Sequence, residues 1–175
     1  GIHGVAPEAD LLIYRVDDDS MDENSLLGNA IREAVNPSAS LGVGVVNMSF
    51  GSDEPGVDTQ FATDFNTLKS GDVVAVVAAG NDGDPDPDLS AQGALALSGG
   101  SNVIIAGSVD SANNISSFSD RAGVAADIYL VAPGEFLRGV VSGGAPSETR
   151  SFSGTSAATP AAPGQALEVP PKSPA

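Results

Sequence analysis

Five short apolar runs dominate the chain, and the clearest of them, VVAVVAA at Val73–Ala79, passes directly into the turn-forming pair Gly80-Asn81. A strand with one solvated face alternates apolar and polar residues, whereas a strand covered on both faces is apolar throughout. The same pattern predicts four further strands, at Asp10–Val16, Val43–Asn47, Val103–Ala106 and Ile128–Ala132. Such runs are typical of a parallel sheet with helices on both faces.

Helical patterns separate these runs. Apolar residues three or four positions apart predict helices at Ser25–Val35 and Thr59–Leu68, and a shorter one at Leu89–Leu97. The alternation predicts an α/β fold with three layers, in which a mostly parallel sheet is flanked by helices. A chain of 175 residues is long enough for one domain, which we place at residues 1–164, followed by a Pro-rich disordered tail at residues 165–175.

Charge and composition exclude several classes of function. The chain carries 23 acidic and 7 basic residues, a formal net charge of −16. Nucleic acid is not expected as a partner, because phosphate binding needs a basic face. No apolar run approaches the ~20 residues that a membrane span requires. There is no cysteine, which excludes disulfides and thiolate chemistry, and the only histidine is His3.

Three turns of small residues follow predicted strands or a long loop: NMSFGS at Asn47–Ser52, AAGNDG at Ala78–Gly83 and SGTSAATP at Ser153–Pro160. The carboxyl ends of parallel strands share one edge of the sheet, and sites gather there. We therefore expect the three turns to converge on one crevice.

Each turn has a chemical interpretation and a purely structural one. Ser156, at the start of a helix, could be a nucleophile or an ordinary N-cap. Asn81 could donate its amide to an oxyanion or be a turn residue that tolerates a left-handed backbone. The extended residues 49–51 could pair with a peptide strand or simply end a strand.

Four segments, in this order, resemble the subtilisin-like serine proteases, the subtilases: GVAPEADLLIYRV, VVNMSFG, VVAVVAAGNDG and SFSGTSAATP. The resemblance implies a subtilisin-like fold, incomplete in this chain, and a secreted or cell-envelope endopeptidase that cleaves polypeptides by acyl transfer. It implies that Ser156 is the nucleophile and that Asn81 donates to the oxyanion beside the Ser156 backbone N–H. It assigns substrate binding to Ser49, Phe50, Gly51, Ala78, Ala79, Gly80, Gly154 and Thr155.

The chain departs from the family in its catalytic set. The family order is Asp, His, Ser, and the segments with the Asp and the His precede the region that Gly4 begins. His3 is expected in a loop, Asp58 at a helix start and Asp17–Asp19 in a solvated loop. A serine without a base is a poor nucleophile. The chain is therefore expected to be inactive as it stands, either as a piece of a longer protease or as a non-catalytic peptide-binding relative.

The region after the serine departs as well. Ala161 stands where the family has a histidine, and Pro163 removes a helix donor, so the helix after Ser156 is expected to be short. With a strand and a helix of the family fold missing, the isolated chain is expected to associate through exposed apolar surface.

No cofactor is expected, although the resemblance allows structural calcium in the complete protein. The acidic segment NDGDPDPD at Asn81–Asp88 lacks the offsets of an EF-hand and is interpreted as a solvated loop at the mouth of the cleft. The sequence GVGVVN at Gly42–Asn47 precedes a strand and lacks a third glycine, which makes a nucleotide site a weak alternative.

Overall fold

The computed structural model describes residues 6–14, 30, 33, 44–51, 65–68, 70–71, 73–141, 143–145 and 148–162. Within them lies a four-stranded parallel sheet of β1 (Val45–Met48), β2 (Val74–Ala78), β3 (Val103–Val109) and β4 (Tyr129–Pro133), in that spatial order. Met48 pairs with Val77, and Ala78 pairs with Ala106, so neighbouring strands end at the same edge. The predicted α/β architecture with a parallel sheet is confirmed.

Two apolar clusters cover the two faces of this sheet. Ala75 and Val77 of β2 belong to a cluster that also contains Phe65 and Ala91. Val76 points the other way and packs with a second cluster that includes Ala158. The three β2 residues are 0% exposed. Burial on both faces explains why the run VVAVVAA contains no polar residue.

Helix α1 (Leu89–Ser98) follows β2 and matches the predicted helix. Its N-cap is Asp88, whose carboxylate accepts a hydrogen bond from the Ala91 N–H, and its C-cap is Gly99 in the left-handed conformation. A 3₁₀ helix (Gly123–Ile128) precedes β4. None of the helices in the described ranges is long and apolar enough to span a bilayer.

Other predicted helices fall partly outside the described residues. Residues 65–68 are helical, in agreement with the helix predicted at Thr59–Leu68. Of the predicted helix Ser25–Val35, only residues 30 and 33 are described, and both are helical. The tail at residues 165–175 lies outside the described residues.

The strand predicted at Asp10–Val16 is wrong for residues 10–14, which have no regular structure. Leu11 and Ile13 are 81% and 89% exposed. An apolar run becomes a strand only when a neighbour supplies the other half of the hydrogen-bond ladder. None of the four strands of the described sheet pairs with residues 10–14, so this run has no partner among them.

The expectation of a long loop before Ser153 is also wrong in part. This region contains an antiparallel hairpin of β5 (Leu137–Val140) and β6 (Thr149–Phe152). Both strands have four residues, and most of their residues are exposed. Short exposed strands lack the continuous apolar runs that identified the buried ones. After β6, Gly154 leads into helix α2 (Thr155–Ala158).

Candidate active site

A pocket of about 280 Å³ lies at the carboxyl edge of the sheet. It is lined by residues from four places along the chain: the end of β1, the end of β2, the start of α1 and the start of α2. They are Phe50, Gly51, Ala78, Gly80, Asn81, Asp82, Asp88, Thr155 and Ser156. The sheet therefore brings Asn81 and Ser156 to one pocket.

The side-chain amide of Asn81 is held by Thr155. The Thr155 backbone N–H donates to Asn81 Oδ1 at 2.8 Å, and the Thr155 hydroxyl donates to the same oxygen at 3.1 Å. A backbone N–H can only donate, so the atom facing it has to be the amide oxygen. The Asn81 Nδ2 group consequently points away from Thr155. The Thr155 hydroxyl also accepts from the Gly80 N–H at 3.3 Å, and Thr155 is fully buried.

Ser156 lies in the first turn of the short helix α2, and its side chain is exposed. Gly154, the N-cap of α2 two positions before Ser156, has φ 149°, a backbone conformation that favours glycine. The Gly154 N–H donates to the Gly134 carbonyl at 2.9 Å, which joins α2 to the end of β4. The Ser156 hydroxyl is thus presented to the pocket from an anchored turn.

Helix α2 has four residues, and residues 159–160 form a turn before residues 161–162 are again helical. Pro160 has no N–H to donate, which ends the regular hydrogen-bond pattern. The Thr159 hydroxyl donates to the Thr155 carbonyl at 2.7 Å. The expected shortness of this helix is confirmed for the described residues, while Pro163 lies outside them.

The turn that carries Asn81 is fixed by the loop around Asp120. Asp120 Oδ1 accepts hydrogen bonds from the Asp82 N–H at 3.0 Å and the Asp84 N–H at 2.9 Å. The Asp120 N–H donates to the Gly80 carbonyl at 3.2 Å. Gly80 and Asp82, the residues on either side of Asn81, are therefore both hydrogen-bonded to Asp120. Asp120 is 1% exposed, and this burial raises the pKa of its carboxyl group although the N–H donors oppose the shift.

Two glycines allow carboxylates to approach the pocket closely. Gly80 has φ 115°, and a methyl group there would collide with Asp120 Oδ2. A methyl group at Gly51 would collide with Asp88 Oδ2. The Asp88 carboxylate therefore lies directly against the turn that follows β1.

The residues assigned to substrate binding divide into two groups. Those that line the pocket are Phe50, Gly51, Ala78, Gly80 and Thr155. The others lie beside or behind it: the Ser49 hydroxyl accepts a hydrogen bond from Asn47 Nδ2 at 2.9 Å, Ala79 belongs to the core, and Gly154 is buried. His3, Asp17–Asp19 and Asp58 lie outside the described residues.

Sequence reasoning assigned no role to three acidic residues near the site. Asp82 and Asp88 belong to the segment expected as a solvated loop at the mouth of the cleft, and both line the pocket. Asp82 is exposed as expected, whereas Asp88 is only 8% exposed. The position of Asp88 directly before a helix was the available signal, because aspartate is a preferred N-cap. For Asp120 the sequence offers no comparable signal. In the described part of the chain, no group of three or more His, Cys, Asp or Glu residues could hold a metal ion.

Comparisons with known proteins agree with this architecture. The model of the subtilase family, Peptidase S8, matches residues 1–172. Thermitase from Thermoactinomyces vulgaris is 34% identical over 161 residues, which are 91% of this chain and 51% of thermitase. Subtilisin BL from Lederbergia lenta is 33% identical over 174 residues, covering 99% of this chain and 58% of that protein. The chain thus spans about half the length of these relatives.

Solved structures give the same result for the fold. The structure of sphericase superimposes with a TM-score of 0.76 at 27% identity, over 96% of this chain and 56% of sphericase. The self-cleaved protease domain of PatA superimposes with a TM-score of 0.73 at 28% identity, over 92% of this chain and 57% of that domain.

Proposed function

Because the chain belongs to the subtilase family of serine proteases, we propose that the complete protein is an endopeptidase whose nucleophile is Ser156. The single observation that carries this assignment is the meeting of Ser156 and Asn81 in one pocket, with the amide oxygen of Asn81 held by Thr155. The exposed Ser156 hydroxyl and the Asn81 amide, whose N–H₂ group is not used by Thr155, border the same pocket, which suits a reaction that builds negative charge on oxygen.

In the proposed reaction, Ser156 Oγ attacks the carbonyl carbon of the scissile peptide bond and transfers its proton to a general base. Asn81 Nδ2 and the Ser156 backbone N–H donate hydrogen bonds to the resulting oxyanion. The C–N bond then breaks, and the base returns the proton to the leaving amine. Water hydrolyses the acyl-enzyme ester by the same steps in reverse order, which regenerates the serine.

The general base is proposed to be a histidine of the complete protein outside residues 1–175, oriented by an aspartate that is also outside them. The chain spans about half the length of its relatives, and its only histidine is His3. The substrate is proposed to be an extended polypeptide that lies along residues 49–51 and pairs with their backbone.

The test is labelling of the complete protein with a fluorophosphonate, which reacts with an activated serine and not with an ordinary one. We expect covalent labelling at Ser156, located by peptide mass spectrometry, and none in the Ser156→Ala variant. Peptide hydrolysis should disappear in the same variant. An intact, folded protein that is not labelled at Ser156 would instead be a peptide-binding relative without proteolytic activity.

A further inference from the structure

The backbone of the turn that carries Asn81 is bound to one buried acidic residue, Asp120. We propose that Asp120 is a positioning residue of the reaction, which does not touch the substrate but holds the Asn81 amide where the oxyanion forms. This inference rests on the proposed function and adds a residue to its machinery. Asp120 is not among the residues that line the pocket with Ser156, so its effect on the reaction has to pass through another residue.

The turn after β2 is largely exposed. Asn81, Asp82 and Asp84 are exposed, and residues 81–88 form neither helix nor strand. An exposed turn gains little from apolar burial, so hydrogen bonds have to hold its backbone in one conformation. The position of the Asn81 amide therefore depends on the residues that supply those bonds.

Asp120 supplies three of these hydrogen bonds, on both sides of Asn81. Its Oδ1 atom accepts from the Asp82 N–H at 3.0 Å and from the Asp84 N–H at 2.9 Å. Its own N–H donates to the Gly80 carbonyl at 3.2 Å. The two Oδ1 contacts belong to the side chain, so a substitution at position 120 removes them and leaves the backbone contact possible.

The buried carboxyl group couples Asp120 to the turn. Asp120 is 1% exposed, and Gly80, with φ 115°, leaves room for its Oδ2 atom. Burying a carboxylate is unfavourable unless N–H or O–H groups replace the water that it loses. Burial raises the pKa of this carboxyl group, and the N–H groups of Asp84 and Asp82 oppose that shift. The carboxylate and the turn thus stabilise each other, which favours one conformation around Asn81.

Asp120 is itself anchored to the parallel sheet. Its carbonyl accepts hydrogen bonds from the Tyr129 hydroxyl, at the start of β4, and from the Ser119 hydroxyl. The Ser119 hydroxyl also accepts from the Ser108 N–H of β3 at 3.0 Å. Ser108 and Ser119 are both 0% exposed. Asp120 therefore links the buried sheet to the exposed turn.

Asp120 and Thr155 hold different parts of Asn81. Thr155 binds the side-chain oxygen, whereas Asp120 binds the residues on either side in the backbone. Together these contacts determine where the Asn81 N–H₂ group points. A displacement of about 1 Å in a reacting group can lower a rate about 10²-fold. Loss of the Asp120 carboxylate should therefore weaken stabilisation of the oxyanion and leave substrate binding largely intact.

The test measures kcat and KM of the complete protein on one peptide. In Asp120→Ala, which removes the acceptor of both N–H groups, kcat should fall about 10- to 100-fold while KM changes by less than about 3-fold. Asp120→Asn keeps an oxygen that can accept from both groups, and its kcat should stay within about 5-fold of the parent value. A raised KM with unchanged kcat in Asp120→Ala overturns the inference.

A double-mutant cycle separates positioning from a general effect on the protein. In the Asn81→Ala background the amide is already absent, so Asp120→Ala should lower kcat by less than about 3-fold. An equal fall in the two backgrounds would show that Asp120 acts independently of Asn81, which contradicts the proposed role.

The matched control is Asp110→Ala. The Asp110 Oδ1 atom also accepts two backbone hydrogen bonds, from the Ala112 N–H at 2.8 Å and the Asn114 N–H at 2.9 Å. This turn contributes no residue to the pocket, so kcat of the control should equal that of the parent. Equal losses in Asp110→Ala and Asp120→Ala would mean that any disturbed turn lowers activity, and the inference would then be wrong.

A milder variant replaces Asp120→Ala if that variant does not fold. Tyr129→Phe keeps the ring and removes the hydroxyl that donates to the Asp120 carbonyl. Loss of one hydrogen bond that anchors Asp120 should lower kcat about 3- to 10-fold while Asn81 is present, and should have no effect in Asn81→Ala. An unchanged kcat with Asn81 present overturns the inference.

A measurement without proteolysis distinguishes failure of this inference from failure of the proposed function. If the complete protein hydrolyses no peptide, the order parameter of the Asn81 side-chain amide is measured by NMR relaxation in the parent, Asp120→Ala and Asp110→Ala. A decrease confined to Asp120→Ala supports the positioning role although the protease assignment has failed. An unchanged order parameter in Asp120→Ala, or an equal decrease in both variants, overturns that role.

Discussion

At the level of single residues, the contact between Asn81 and Thr155 determines what the amide can do. Two hydrogen bonds from Thr155 end on Asn81 Oδ1, which fixes the orientation of the amide without using its N–H groups. An oxyanion donor that is already oriented needs no reorganisation when charge develops, and such donors account for a large part of catalysis in acyl transfer.

Replacement of Asn81 by alanine tests its proposed role as an oxyanion donor. We expect kcat of the complete protein to fall about 10²- to 10³-fold, the magnitude known for the oxyanion-hole asparagine of subtilisin itself. KM should change little, because the hydrogen bond forms in the transition state and not with the bound substrate. Steady-state kinetics on one peptide measure both constants. A raised KM with unchanged kcat would show that Asn81 only binds substrate.

The buried carboxyl group of Asp120 makes a pH-dependent contribution to stability. Burial raises its pKa above the ordinary value of 3.8, so the folded protein retains this proton to a higher pH than the unfolded chain does. The stabilisation from that proton is complete below the ordinary pKa and is lost as the pH rises through the folded pKa. Asparagine at position 120 cannot ionise, so the variant does not lose stability in this way as the pH rises.

The prediction concerns the difference in Tm between Asp120→Asn and the parent chain. As the pH rises from ~3.5 to ~6, the Tm of the variant should increase relative to that of the parent. Thermal unfolding at a series of pH values measures this difference, and each pair of proteins is compared in the same buffer. A difference that is independent of pH, or one that moves in favour of the parent, would contradict the assignment.

At the level of elements, Asp88 has two separable effects, because it caps α1 and also carries charge into the pocket. Its Oδ1 accepts from the Ala91 N–H in the first turn of the helix. Asp88→Ala removes the cap and should lower the free energy of unfolding by about 1 kcal/mol. Asp88→Asn retains a capping oxygen and should stay within a few tenths of a kcal/mol of the parent.

Urea unfolding of the three proteins measures these free energies. Equal destabilisation by alanine and asparagine would mean that the charge, and not the capping oxygen, stabilises α1.

The elements themselves were predictable to different degrees. β2 and α1 were placed to within a residue, since β2 is a continuous apolar run and α1 has apolar residues at helical spacing. The hairpin of β5 and β6 was missed, because its residues are mostly exposed and its pairing depends on contacts between separate segments. Residues 10–14 are apolar enough for a buried strand, but the strand predicted there is wrong. An apolar pattern does not by itself provide a neighbouring strand for hydrogen bonding.

At the level of the whole molecule, a contiguous apolar segment is exposed. Leu11 and Ile13 are 81% and 89% exposed, and Leu12 between them is 49% exposed. Exposed apolar segments drive association because burying them removes apolar surface from water. We therefore expect the 175-residue chain by itself to associate in a concentration-dependent manner.

Sedimentation velocity over a range of concentrations measures this association. The double variant Leu11→Lys, Ile13→Lys should shift the chain toward monomer. The matched control is Phe136→Lys, at a single residue that is 77% exposed in another part of the chain, and it should leave the association largely unchanged. A parent chain that remains monomeric at all concentrations would contradict the prediction.

The amino-acid sequence alone determined the parallel sheet, the helix after β2 and the three turns that meet at its edge. These features follow from local patterns, namely apolar runs, helical spacing and glycine-rich turns, which act over a few neighbouring residues. Only the tertiary structure placed the amide oxygen of Asn81 on Thr155 and the Asp88 carboxylate against Gly51. Such contacts join residues far apart in the chain, and their distances depend on how the sheet and helices pack together, which no local pattern encodes.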